Sequence, residues 1–147
     1  MIWFVDTSAL IKRYLRETGS KWLREEIVHH RVLISQLTPI EVLASIGRRR
    51  QQGTLSPFAF LQARRIFINH INDPQYQILN VSSAIVNEAM RLTFRQSLRA
   101  YDAVQLATAL KTLATQGYKQ LVFLTADAQL ERVARAEGLQ TDNPLDH

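Results

Sequence analysis

The chain has 147 residues, of which 46% are hydrophobic and 21% are charged, a composition that predicts one globular domain over residues 1–147. It contains no cysteine, which excludes disulfides and thiolate metal sites, so any metal ion must bind oxygen or imidazole ligands. No apolar run approaches the roughly 20 residues needed to span a bilayer, and no signal peptide is evident, so we expect a cytoplasmic protein.

The net charge of +5 is unevenly distributed along the chain. Residues 31–99 contain nine arginines against three acidic residues, whereas residues 100–147 contain more acidic than basic residues. A basic middle section is a candidate surface for phosphate groups, although solvated helix faces are the commoner explanation of such runs. Consecutive residues diverge around a helix, so only part of its densest cluster, Arg48-Arg49-Arg50, could face one ligand.

The first predicted element is a strand over residues 2–5 that runs directly into Asp6, Thr7 and Ser8. Four apolar residues bounded in this way indicate a buried strand of a parallel sheet, with Thr7 or Ser8 available as the cap of the following helix. Ligands bind at the carboxyl ends of the strands in open α/β sheets, so Asp6 is a candidate site residue as well as a candidate helix cap.

Two helices are predicted before the next strand. The first is short and amphipathic and ends near Gly19. The second extends to His30, with Ser20 as its N-cap.

A second strand is predicted over residues 32–35, and Thr38, Pro39 and Glu41 follow it. With Thr38 as N-cap, Pro39 at the first helical position and Glu41 at the third, the pattern is that of a capping box. In that interpretation Glu41 only returns a hydrogen bond to Thr38. It also occupies the same place after a strand as Asp6, so both interpretations stay open.

Two helices, over residues 38–52 and 57–72, follow one another without a strand between them. Ser56 and Pro57 open the second helix, and Asp73-Pro74 ends it. The pair carries five arginines, and we expect it to form a helical hairpin that projects over the edge of the sheet.

The last third of the chain continues the alternation of strands and helices. A weaker strand over 77–81 is followed by a helix to about residue 96, and a strongly helical stretch over 100–113 has Asp102 in its first turn. Residues 120–127 then repeat the opening pattern, with Thr125 and Asp127 after an apolar strand. A helix to about Glu137 and a short strand over 139–141 complete the prediction.

The alternation predicts a three-layer α/β/α domain with a central, mainly parallel sheet. Right-handed crossovers bring strand ends and helix starts to one edge, where Asp6, Glu41, Asp102 and Asp127 are expected to meet. Clustered carboxylates repel one another unless cations neutralise them, and all-oxygen ligands favour Mg²⁺ or Mn²⁺. An ion held in this way beneath a basic surface suits hydrolysis of phosphodiesters by a metal-activated water.

Four segments resemble the motifs of the PIN-domain ribonucleases, and their order and spacing match as well. They are Phe4-Val5-Asp6-Thr7-Ser8-Ala9-Leu10, Thr38-Pro39-Ile40-Glu41-Val42, Tyr101-Asp102-Ala103-Val104-Gln105-Leu106-Ala107-Thr108-Ala109 and Thr125-Ala126-Asp127. Within that family the chain is most similar to the VapC toxins of bacterial toxin–antitoxin pairs. The resemblance implies a five-stranded parallel sheet, endoribonuclease activity dependent on Mg²⁺ or Mn²⁺, a homodimer and inhibition by a VapB-type antitoxin.

The resemblance also assigns roles to individual residues. Gln129 stands where many relatives carry a further acid, which puts a second metal ion in doubt. The three arginines of the densest basic cluster are candidate RNA contacts. The implied metal-binding and catalytic acids are Asp6, Glu41, Asp102 and Asp127; the implied supporting residues are Thr7, Ser8, Thr125 and Asn143; the candidate RNA contacts are Arg48, Arg49 and Arg50.

Other functions remain to be weighed against the toxin. A haloacid-dehalogenase-like phosphotransferase would need an acid where Ser8 stands, and a response-regulator receiver would need one where the third strand ends at Asn80-Val81-Ser82. A standalone RNA-processing nuclease without an antitoxin is compatible with every motif. A non-catalytic RNA-binding or partner-binding module of the same fold is disfavoured, since a scaffold need not keep four clustered acids.

Overall fold

Five short strands form a single sheet in which every neighbouring pair is parallel. The computed structural model describes all of residues 1–147. The strands are β1 (Ile2–Val5), β2 (Arg31–Ser35), β3 (Tyr76–Leu79), β4 (Val122–Leu124) and β5 (Gln140–Asp142), arranged in the order β3-β2-β1-β4-β5. The predicted parallel five-stranded sheet is therefore confirmed, and the first strand of the chain lies at its centre.

Seven α-helices connect and cover the strands. They are α1 (Thr7–Leu10), α2 (Ser20–Glu26), α3 (Thr38–Gln51), α4 (Pro57–Ile71), α5 (Ser83–Arg95), α6 (Ala100–Thr115) and α7 (Ala128–Ala136), with 3-10 turns at Ile11–Arg13, Ile27–His29 and Pro144–Asp146. None of these helices is both long and apolar enough to cross a membrane.

Alternating side chains of the central strand face two separate cores. Trp3 and Val5 pack with α1 to α4 on one face, whereas Phe4 packs with α5, α6 and α7 on the other. Successive residues of a strand point to opposite faces, so the apolar run of β1 contributes to both cores. This arrangement confirms the predicted three-layer architecture.

The two helices predicted before β2 are shorter than expected. The first is one turn, α1, followed by a 3-10 turn, and α2 gives way to a 3-10 turn at Ile27. The prediction of Ser20 as an N-cap is wrong, because Gly19 holds that position. The hydroxyl of Ser20 instead donates to the carbonyl oxygen of Leu15 (2.8 Å) and accepts from the amide of Glu17 (2.9 Å).

The capping box predicted at Thr38 is also wrong. Helix α3 begins one residue earlier than expected, with Leu37 as its N-cap and no capping side chain. The buried Thr38 hydroxyl accepts a hydrogen bond from Nε2 of Gln105 on α6 (3.0 Å), a partner 67 residues away in sequence. Glu41 is consequently not engaged with Thr38 and is available to the edge of the sheet.

Helices α3 and α4 form the predicted hairpin. Its second helix opens as expected, with the Ser56 hydroxyl accepting from the amide of Ala59 (3.1 Å). Ala63 and Phe67 of α4 are buried against the first core, whereas Phe58 and Leu61 are exposed on its outer face. The hairpin places α3 beside the carboxyl ends of β1 and β2, where Glu41 lies.

Candidate functional site

Four acidic side chains line one cavity of about 260 Å³ at the carboxyl edge of the sheet. Asp6 follows β1 and Asp127 follows the neighbouring strand β4, while Glu41 and Asp102 lie in the first turns of α3 and α6. Every predicted acid thus comes from a different segment of the chain. The complete lining is Asp6, Thr7, Ser8, Ile11, Glu41, Ser45, Arg99, Tyr101, Asp102 and Asp127.

Asp6 is the most buried of the four acids, with 4% of its surface exposed. Its Oδ2 accepts from the Ser8 amide (3.2 Å), the Ser8 hydroxyl (2.6 Å) and the Thr125 hydroxyl (3.1 Å). Asp6 is itself the N-cap of α1, so its interpretation as a helix cap is confirmed, whereas Thr7 and Ser8, the other candidate caps, lie inside the helix. The hydroxyls of Ser8 and Thr125 hold the carboxylate of Asp6 in place.

Burial raises the pKa of Asp6 above its ordinary value, although its three hydrogen bonds oppose this, and the charge of Asp102 adds to the rise. Burial likewise raises the pKa of Glu41, to which the negative charges of Asp6 and Asp102 contribute. Both shifts mean that burial and neighbouring negative charges disfavour the ionised carboxylates in this cavity. A bound cation would oppose both effects.

Arg99 supplies positive charge at the rim of this cavity. Its Nε donates to Oδ2 of Asp102 (3.0 Å), and its Nη2 lies 3.6 Å from Oδ2 of Asp127. The guanidinium side chain is 80% exposed, so these contacts are made at the surface and are screened by solvent. Arg99 is therefore a counterion for two of the four acids.

The acids do not converge on one point in this arrangement, and no group of three acidic or histidine side chains is placed to coordinate a single ion. The second carboxylate oxygen of Asp127 caps α7 by accepting from the amides of Gln129 (2.9 Å) and Leu130 (3.0 Å), while Asp102 faces Arg99. The donor set of four carboxylates and several hydroxyls nevertheless fits a hard divalent cation, because such ions prefer oxygen ligands.

Two polar atoms next to the cavity are buried without a hydrogen-bond partner, Oη of Tyr101 and Oε1 of Gln105. The amide Nε2 of Gln105 bonds Thr38 (3.0 Å) and lies 3.5 Å from Oγ1 of Thr7. Buried polar atoms are usually satisfied, and those left over are commonly found where a ligand or water binds. Tyr101 and Thr7 line the acidic cavity, and Gln105 is connected to it through Thr7.

The sequence analysis did not single out Arg99, Tyr101 or Gln105. A usable signal was present, because Tyr101 and Gln105 are one helical turn apart and Asp102 shares their side of α6. A glutamine within an otherwise apolar helical stretch also indicates a partner that the stretch itself does not contain. That partner, Thr38, is recognisable only once α3 and α6 are in place.

Asn143 is not brought to the cavity. It is buried directly after β5, where its Nδ2 donates to Oε2 of Glu131 (3.2 Å) and its Oδ1 accepts from the amide of Leu145 (2.9 Å). Gln129 lines an adjacent cavity together with Arg99, Asp102 and Asp127, and its Nε2 donates to the carbonyl oxygen of Ser97 (2.7 Å).

The three consecutive arginines at the end of α3 point in three directions, as the sequence predicted. Arg48 donates to the hydroxyl of Ser45 (2.8 Å), a residue that lines the acidic cavity. Arg49 forms an ion pair with Glu17, and the guanidinium of Arg50 lies 4.7 Å from the ring centre of Phe60. Only Arg48 and Arg49 face the side of α3 that leads to the acids.

The model of the PIN domain family matches residues 3–136, which is most of the chain. No curated protein has a significantly matching sequence. Among solved structures, PAE2754 from Pyrobaculum aerophilum is 20% identical with a TM-score of 0.66, covering 96% of this chain and 89% of that one. A toxin–antitoxin complex from Klebsiella pneumoniae is 19% identical with a TM-score of 0.65, covering 98% of each chain. DNA-bound VapBC from Salmonella typhimurium is 13% identical with a TM-score of 0.64, again covering 98% of each chain. Identities this low establish only the shared fold, but the family match extends from β1 to α7 and includes all four acids, and the chain belongs to the PIN domain family.

Proposed function

We propose that this protein is an endoribonuclease that hydrolyses RNA phosphodiesters and depends on Mg²⁺ or Mn²⁺. The observation that carries the proposal is the single cavity lined by four acids from four segments, two of which have a raised pKa in the metal-free protein. A cluster of this kind is destabilising unless a cation is bound, so its presence favours a metal-dependent activity over a binding scaffold. Membership of the PIN domain family supports nuclease chemistry.

Asp6, Glu41, Asp102 and Asp127 are the residues that would hold one or two ions. A divalent cation bound there would supply charge neutralisation and Lewis-acid activation of water and phosphate. Because Gln129 stands where many relatives carry an acid, the site has one carboxylate fewer than theirs, which favours one firmly held ion over two.

The protein's own residues prepare the site for that chemistry. The hydroxyls of Ser8 and Thr125 hold the carboxylate of Asp6 in one orientation. Arg99 on one rim and Arg48 near the other offer guanidinium groups to the anionic backbone of RNA. Substrate phosphates thus meet positive charge on both sides of an acidic floor.

We further propose that the nuclease is the toxin of a VapBC-type pair in the cytoplasm, acting as a homodimer with a VapB-type antitoxin. Structures of VapBC and of a toxin–antitoxin complex among the fold neighbours support this assignment. We expect the chain to copurify with the product of its neighbouring gene and to lose its cleavage activity in that complex. Unchanged cleavage with and without that product would favour a standalone RNA-processing nuclease.

The direct test compares RNA cleavage by the wild type, Asp102→Asn and Asp146→Asn in Mn²⁺. Asp146 is an exposed acid in the last 3-10 turn, so its substitution is a matched control for the same chemical change. We expect the wild type and the control to cleave structured RNA and Asp102→Asn to lose more than about 100-fold in rate. If Asp102→Asn cleaves RNA as fast as the wild type, the enzymatic proposal is contradicted.

A further inference from the structure

Two further cavities follow the acidic cavity along α3. A cavity of about 250 Å³ shares Ile11 and Ser45 with the acidic cavity. That second cavity in turn shares Leu15 and Arg49 with a third of about 620 Å³, which lies between the 3-10 turn after α1, α2 and the α3–α4 hairpin. The three cavities are therefore neighbours along α3, and we call the second and third together the basic groove.

The basic groove has a strongly positive lining. Its only acidic residue is Glu17, which is already paired with both Lys12 (3.1 Å) and Arg49. The charge therefore reverses within one helix length, from four acids in the first cavity to a row of guanidinium groups beyond it. The arginines that line the groove are Arg13, Arg16, Arg24, Arg48 and Arg49.

Two of these arginines are not needed by the fold. Arg13 donates to the hydroxyl of Tyr76, and Arg49 is the partner of Glu17, so both have structural roles. Arg16 and Arg24 are exposed, and the only hydrogen bond between them and the protein joins Nε of Arg24 to the carbonyl oxygen of Arg13 (3.0 Å). Most of their donors point to the groove or to solvent, where an anionic ligand could accept them.

We propose that the basic groove binds the ribose–phosphate backbone of single-stranded RNA on one side of the bond to be cleaved, with Arg16 and Arg24 as a distal phosphate site. The inference rests on the proposed function, because it gives the acidic cavity its substrate. The part of helix α3 from Glu41 to Gln51 is about 15 Å long, a length that accommodates several nucleotides of an extended strand. Arginine combines bidentate phosphate binding with weak hydration, which suits this use.

The groove also offers surfaces for bases. Its third cavity is lined by Leu55, Ile66 and the ring of Tyr14, whose hydroxyl is 3.1 Å from Nδ1 of His70. Apolar and aromatic side chains between cationic ones are the usual composition of a single-strand binding path, since bases stack while phosphates pair with arginine. A polypeptide partner would need acidic side chains to match this lining, whereas RNA carries the required charge on every nucleotide.

The test measures the binding of fluorescent oligouridines of about 4 and about 12 nucleotides in EDTA, so that no RNA is consumed. The Arg16→Gln/Arg24→Gln protein is compared with Arg64→Gln/Arg65→Gln, which removes two exposed arginines from the outer side of α4, away from the groove. We expect the groove variant to bind the longer strand about tenfold more weakly and to reduce the slope of log K against log salt by about 1.4. The control variant should bind both strands as the wild type does.

Equal losses in the two variants would overturn the proposal, because they would indicate general attraction by the net positive charge. Wild-type binding by the groove variant would also overturn it. Melting temperatures show whether each variant is folded. Cleavage in Mn²⁺ separates this proposal from the proposed nuclease activity. If the wild type cleaves RNA and the groove variant binds RNA normally, only the groove proposal is rejected. If RNA binding depends on the groove but the wild type does not cleave RNA, only the nuclease proposal is rejected.

Discussion

The carboxyl group of Asp6 is held by three hydrogen bonds and is still more difficult to ionise than an exposed aspartate, because burial outweighs those bonds. A raised pKa in the folded state means that the group stabilises the fold below its ordinary pKa and loses that stability as the pH rises through the raised value. Without metal, ionisation of Asp6 as the pH rises therefore destabilises the domain.

Asp6→Asn should raise the melting temperature in EDTA at neutral pH by a few degrees, the shift expected for about 1 kcal/mol in a domain of this size. The gain should shrink as the pH is lowered and vanish near the ordinary pKa of an aspartate. Thermal unfolding of both proteins from about pH 4 to about pH 8 measures it, with Asp146→Asn as the exposed control. A lower melting temperature at neutral pH would mean that the hydrogen bonds to Asp6 outweigh its burial.

Arg99 competes with metal for two of the acids. Its contacts with Asp102 and Asp127 are surface contacts and contribute little to folding, but they must be given up when those carboxylates turn to a cation. Arg99→Gln should therefore bind Mn²⁺ about three- to tenfold more tightly by calorimetry, since no guanidinium repels the ion.

Arg132→Gln on the exposed side of α7 is the control for Arg99→Gln and should leave the Mn²⁺ affinity close to that of the wild type. Weaker Mn²⁺ binding in Arg99→Gln than in the control would show that Arg99 organises the acids for the ion, which is the reverse of competition.

At the scale of secondary-structure elements, the start of α2 depends on one glycine. Gly19 has φ +85°, a conformation that costs other residues about 1–2 kcal/mol, and a Cβ atom there would lie 2.4 Å from the carbonyl oxygen of Pro144. The last 3-10 turn packs against this point, so a side chain at position 19 would displace it.

Gly19→Ala should lower the free energy of unfolding by more than about 2 kcal/mol in urea titrations. Gly47 in α3 has no atom near the corresponding position and an ordinary φ, so Gly47→Ala should stabilise by about 0.5–1 kcal/mol. Similar effects of the two substitutions would mean that the segment around Pro144 moves away at little cost.

The elements also show where local patterns were sufficient and where they misled. Ser56 caps α4 as predicted, because its hydroxyl bonds an amide three residues away, and Ser82 caps α5 in the same way. Thr38 fits the same local pattern but is drawn to Gln105 on α6. A cap that depends on neighbours in sequence is predictable, whereas a buried hydroxyl bonds whichever polar group the tertiary packing places beside it.

At the scale of the whole molecule, the charges behind the net value of +5 are segregated, because an acidic cavity adjoins a basic groove. The sequence located the excess of arginine in residues 31–99, but three of the five arginines of the groove, Arg13, Arg16 and Arg24, come from the nearly neutral first 30 residues. A charge count along the chain cannot detect a surface that two distant segments build together.

The sequence alone determined the layers of the fold, the parallel sheet and the four acids at its carboxyl edge, because hydrophobic periodicity and strand–helix alternation are local signals with one efficient way to bury their apolar faces. Only the tertiary structure decided which side chains meet at that edge. Arg99 facing Asp102 and Asp127, Gln105 bonded to Thr38, and Asn143 turned to Glu131 all depend on contacts made in three dimensions. Each of these polar groups has several possible partners, and it pairs with the one that the fold brings within hydrogen-bond distance. The order of residues in the sequence does not specify those distances.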